Sequence, residues 1–122
     1  MQRKTVAEII TEIDYFKTNN FDHKDKVKWI QDIEERIQKE IIDTHENPEE
    51  IQVGELEDDS YLVAQGMHTD IYKYYVAAQI DKYNEEFDRY NNDMALFNGA
   101  YQSFELLWHN THMPIYKGQF KL

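Results

Sequence analysis

The chain has 122 residues, 41% of them hydrophobic and 14% aromatic, with 24 acidic against 13 basic side chains and a formal charge of −11. That length fits one domain with a small core, and so many aromatics exclude a disordered chain. The acidic balance argues against binding nucleic acid through a basic surface, and the absence of cysteine excludes disulfides and thiolate chemistry and fits cytosolic synthesis.

The opening "MQRKTVAEII" carries two basic residues, but Glu8 and Glu12 interrupt any apolar signal core. Thr5 with Glu8 three residues later reads as a capping box, and Val6, Ile9, Ile10, Ile13 and Phe16 then form one apolar stripe at helical spacing. "TNNF" breaks this first helix. Asp22 is the expected N-cap of a second, with Asp25 in its first turn, running to about His45. Val27, Ile30, Ile33, Ile37 and Ile41 are expected inside with Trp29 beside them, and Glu34, Glu35, Lys39 and Glu40 on the wet face.

Between Lys39 and Lys73 there is no Lys or Arg, while ten acids crowd the interval: Glu40, Asp43, Glu46, Glu49, Glu50, Glu55, Glu57, Asp58, Asp59 and Asp70. The bland reading is a solvated acidic loop, and the sharper one is a surface that repels an anion. Within it "IQVGELEDDSYLVA" fits either a small hairpin or a long irregular loop, and a connection this long is often functional.

From Thr69 the chain turns helical again. "DIYKYYVAAQIDKY" is apolar almost all round, which predicts burial on more than one side. A stripe runs on through Tyr83, Phe87, Tyr90, Met94, Phe97, Tyr101 and Phe104 to Trp108 in steps of three and four. A break is expected near Asn84, a residue suited to a left-handed cap. Pro114 ends the run, and "IYKGQFKL" trails off as a tail. No apolar run approaches the ~20 residues that cross a bilayer, so no membrane contact is expected. The predicted fold is all-α: a compact bundle of about four helices, with the acidic connection between the second and third.

Chemistry is hard to find. Glu105, His109 and His112 have helical spacing for a metal, but they sit at a fraying end, and the Glu-x-x-His of di-metal bundles does not occur. No Gly-rich phosphate loop is present, and neither Ser60 nor Ser103 lies in a nucleophile elbow. No catalytic residue, metal or cofactor is assigned, and no enzyme is expected. Ten of the seventeen aromatics lie between Tyr72 and Trp108. Core packing accounts for most of them, yet some are expected to cover a partner. Ala95, Asn98, Gly99 and Ser103 leave a shallow second helix face for a neighbour. The faces at Gly99 and at Tyr74 and Tyr75 are the candidate subunit contacts.

"TVAEIITEID", "KVKWIQDIEERI", "YKYYVAAQIDKYNEEFDRYNNDMALFNGAYQSF" and "NTHMP" resemble small head–tail connector proteins of phages and prophages of Gram-positive bacteria, the head-completion adaptors of long-tailed phages. The likeness covers most of the chain, is most specific from Tyr72 to Pro114 and fails over residues 46–68. It implies a helical adaptor domain over residues 1–113 and a C-terminal arm over 114–122. It also implies a virion structural protein at the neck, made in the host cytoplasm. About twelve copies would form a ring beneath the portal protein, extending the DNA channel and docking the next neck or stopper protein. DNA would pass through without specific binding. The arm, with Ile115, Tyr116, Lys117, Phe120 and Leu122, would reach the portal. Glu55, Glu57, Asp58 and Asp59 would line part of the channel, where like charge keeps DNA from sticking. The alternative is an acidic DNA-mimic inhibitor, whose carboxylates would line an extended surface instead of crowding one connection. A small ligand-binding bundle is a further rival, but no convergent polar pocket is visible in the sequence.

Overall fold

The computed structural model describes residues 3–115. Four helices, α1 (Val6–Phe16), α2 (His23–Ile37), α3 (Asp70–Tyr83) and α4 (Phe87–Thr111), make an all-α bundle, and among the described residues there is no strand. α3 packs along α4 more extensively than any other pair and also touches α1 and α2, so it is the central helix. Its buried residues, Ile71, Tyr72, Val76, Ala77, Ala78, Ile80 and Asp81, occupy more than one face, as an all-round apolar helix requires.

Local chemistry explains the ends. The Thr5 side chain accepts from the Glu8 amide and Glu8 reaches back to the Thr5 amide, closing the capping box. Val6, Ile9, Ile10 and Ile13 are buried, but the last member of that stripe, Phe16, is exposed with Lys73 lying over its ring. α2 starts after Asp22, whose side chain makes no cap hydrogen bond. It does not run evenly to His45. A π-helical turn follows at Gln38–Ile42, and the wider turn lets the adjacent Ile41 and Ile42 both face inward.

The expected break between α3 and α4 is present with different chemistry. Asn84 is the C-cap at φ −89°, and it is Glu85 that takes the left-handed conformation, at φ 60°. The three-residue turn folds α4 back on α3. Phe97, Tyr101 and Phe104 are buried, and Tyr90, Met94 and Trp108 are half-buried, so the aromatic stripe faces the core. Tyr83 and Phe87, at the turn itself, are exposed instead. Tyr83 still stacks on Trp29, with ring centroids 5.8 Å apart.

The connection between α2 and α3 is an irregular loop and not a hairpin. Two glutamines one heptad apart on α2 stand in for a partner strand. Gln38 Oε1 accepts from the Val53 amide at 2.9 Å, and Gln31 Oε1 accepts from the Leu56 amide at 2.8 Å. Gln31 also donates to the Gly54 carbonyl at 2.9 Å. Leu62 and Ala64 are fully buried, so the loop closes one side of the core. Short 3-10 turns at Pro48–Glu50 and Gly66–Thr69 punctuate it.

Candidate functional site

The outer side of α4 is an open surface built from one 25-residue helix. Asn98, Gly99 and Ser103 are all exposed there. A Cβ placed on Gly99 would meet nothing within 4 Å, so the backbone is open to solvent at that point. Leu96, Leu106 and Leu107 are exposed beside them, which makes the face apolar as well as shallow. These leucines are absent from the sequence reading of the face. The signal was their phase: Leu106 falls opposite the aromatic stripe, and Leu96 and Leu107 fall on its flank. Tyr74 and Tyr75 do not join this surface. Both are half-buried and pack on the core, with the Tyr75 ring 5.3 Å from that of Phe97. α4 is held to α2 near this face by Arg36, whose guanidinium lies 4.5 Å over the Tyr101 ring. The Tyr101 hydroxyl donates to Glu40 at 2.9 Å. The hydrogen bond from Arg36 holds the Glu40 carboxyl below its ordinary value.

Glu55, Glu57, Asp58 and Asp59 are all exposed, at the tip of the loop. The same tip has work within the domain. The carbonyls of Ser60 and Asp58 accept from the Val6 and Ala7 amides at 2.9 and 3.0 Å, two otherwise orphaned donors in the first turn of α1. The Asp58 carboxylate meets His23, at the start of α2, at 2.6 Å. Backbone carbonyls of the tip thus cap the start of α1, and the Asp58 carboxylate sits at the start of α2, where the helix dipole favours negative charge.

Two carboxylates lie in the interior. Glu34 is only 1% exposed, against its expected place on the wet face. Its position explains why: it follows Ile30 by four and precedes Ile37 by three, within the apolar stripe. One oxygen accepts from the Tyr72 hydroxyl and the other from the Val63 amide at 2.9 Å. Burial pushes its carboxyl up to about 7, against the pull of those two hydrogen bonds. Asp81 is 0% exposed and paired with Lys17 from α1. Burial, followed by the neighbouring Asp81, raises the Asp93 carboxyl to about 6. Both carboxylates tie helices together.

A cavity of about 300 Å³ opens between the loop and the end of α4, lined by Arg3, Glu34, Val53, Tyr61 and Trp108 among others. The buried Trp108 indole N–H has no hydrogen-bond partner. Both Glu34 oxygens are already engaged, so the cavity's polar groups do not converge on one point.

The C-terminal arm begins clipped to the domain. The Glu46 amide donates to the Met113 carbonyl and the Ile115 amide to the Thr44 carbonyl, each at 2.7 Å. Ile115 is exposed, while Tyr116, Lys117, Phe120 and Leu122 lie outside the described residues. Among the described residues no group of three or more His, Asp or Glu side chains is placed to hold a metal ion, and no helix is long and apolar enough to cross a membrane. His109 and His112 point apart: His112 stacks flat on Trp108 at 4.0 Å, and His109 turns to His45.

No protein-family model, curated protein or solved structure matches the chain.

Proposed function

We propose that the chain is a structural, non-enzymatic assembly module, a head–tail connector that forms a ring beneath a phage portal. The resemblance of "YKYYVAAQIDKYNEEFDRYNNDMALFNGAYQSF" and "NTHMP" to such adaptors supplies the identity of the assembly. The observation that carries the reading is the outer face of α4, where Leu96, Gly99, Ser103, Leu106 and Leu107 are all exposed on one long, rigid helix. Small residues let a second backbone approach, and the leucines flanking them supply apolar area to bury. A ring is a head-to-tail assembly, so a second, different patch must receive this face. Tyr15 and Phe16 at the end of α1, both exposed, form an aromatic patch open to a partner. Since Tyr74 and Tyr75 are committed to the core, the α1 patch replaces them as the receiving surface.

In this reading the exposed carboxylates at Glu55, Glu57 and Asp59 face water on a wall of the channel, since burying them against a protein without basic partners carries a large desolvation cost. The arm from Pro114 onward leaves the domain at the Thr44–Glu46 clip and carries the portal contact. Co-expression with a portal protein from the same genome tests the proposal. The expected product is a ring-shaped complex with many copies of the chain per portal. A chain that stays separate from the portal and instead inhibits a DNA-binding protein supports the DNA-mimic alternative.

A further inference from the structure

His45 and His109 are 64 residues apart in sequence, and the fold places them ring to ring. His45 lies three residues past the π-helical turn that follows α2, and His109 lies in the last turn of α4. His45 Nε2 and His109 Nδ1 are 3.4 Å apart, with the rings nearly perpendicular at 83°.

The protons can be assigned from chemistry. His45 Nδ1 lies 2.6 Å from the Ile41 carbonyl oxygen, which can only accept. Nδ1 therefore carries the hydrogen, and Nε2 is left with its lone pair aimed at His109. A ring N–H donated to a backbone carbonyl is the arrangement that orients metal-binding histidines and raises the basicity of the other nitrogen.

The separation also fits. Zinc–imidazole bonds are about 2.0–2.1 Å, so two nitrogens on one tetrahedral zinc stand about 3.4 Å apart. The pair is already at that spacing. His45 is buried and fixed, whereas His109 is exposed, which leaves an open approach on the solvent side.

We propose that His45 Nε2 and His109 Nδ1 together bind a divalent late transition-metal ion, with zinc the best fit, and that water completes its coordination. Binding requires that His109 carry its proton on Nε2 in place of Nδ1 and give up its hydrogen bond to His45 Nε2, so that the ion replaces that proton while both imidazoles stay neutral. Imidazole ligands suit zinc, copper and nickel and not magnesium or calcium. The ion would join the end of α2 to the end of α4, next to the Glu46–Met113 and Ile115–Thr44 hydrogen bonds. It would stiffen the root of the arm. The inference does not depend on the connector reading, since it concerns only these two side chains.

Untagged full-length protein titrated with zinc(II) by calorimetry tests it. The expected result is saturable binding of one equivalent, with shifts confined to the His45 and His109 ring nitrogens in a parallel imidazole NMR experiment. Because even outer partners of metal ligands are worth 10–100-fold, His109→Ala is expected to weaken binding by about tenfold or more. His112→Ala, three residues on but stacked against Trp108, should leave it unchanged. His109 is exposed, so its loss does not put the fold at risk. No saturable binding by the wild-type chain, or equal affinity in His109→Ala, overturns the proposal.

Discussion

Tyr72 on α3 donates a hydrogen bond to Glu34 on α2 in the middle of the bundle, while the Tyr72 oxygen accepts from the Ala64 amide at 3.0 Å. With the Val63 amide on the second Glu34 oxygen, one carboxyl and one phenol satisfy two backbone donors of the acidic connection. The loop is thus hung on a buried polar pair, and its stability is tied to the charge on Glu34.

The folded value for Glu34, about 7, lies above the ordinary 4.5. Between those pH values the folded chain keeps a proton that the unfolded chain has lost, so stability falls as pH rises. The contribution is complete below about 4.5 and gone above about 7, and spans on the order of 3 kcal/mol. Glu34→Gln mimics the neutral acid. It should match the wild type in urea unfolding at pH 4.5 and exceed it at pH 8. Asp93, raised to about 6 by burial and Asp81, adds a fall in the same direction that persists in the variant. Equal pH dependence in both proteins would contradict the assignment.

Lys17 compensates the buried Asp81. Removing one partner of a buried pair costs about 3–5 kcal/mol, because a charge is left uncompensated. Lys17→Met is expected to lose an amount of that order, and Asp81→Asn in the same chain to restore much of it. A double-mutant cycle with no coupling would show that the pair does not hold α1 to α3.

The helix ends of the sequence were legible where the chemistry is local. Thr5 and Glu8 form their capping box, and the three-and-four spacing from Tyr90 to Trp108 gave the buried face of α4 correctly. Exceptions arose where a tertiary contact overrode residue type. Glu34 has a core position's spacing but a charged side chain, and only Tyr72 and Val63, brought from elsewhere, make its burial tolerable. Tyr74 and Tyr75 read as surplus aromatics until α4 folds over them. The pairing of His45 with His109 depends on how α2 and α4 meet, and no local pattern carries it.

Thr5→Ala removes the side-chain acceptor for the Glu8 amide and should cost about 1 kcal/mol of stability. Asp58→Lys puts positive charge against His23 at the start of α2 and should cost about 0.3–1 kcal/mol, falling with added salt. Chemical denaturation at two ionic strengths checks both. An Asp58→Lys variant as stable as the wild type at low salt would mean that this acid does not serve the helix dipole.

Gly99→Leu separates folding from assembly. The site is open, and helix propensity favours the change by about 0.5–1 kcal/mol, so the isolated chain should fold at least as well as the wild type. Under the connector proposal, the added side chain should block a neighbouring helix and abolish ring formation on the portal. A variant that assembles normally would remove the α4 face from the interface.

The most direct measurement of the connector proposal is electron cryomicroscopy of phage particles produced by the organism that encodes this chain, read at the neck. The connector account predicts a ring of copies beneath the portal, with the Gly99 face of α4 in each subunit contact and Glu55 to Asp59 toward the channel. A neck whose density contains no copy of this four-helix domain would contradict it.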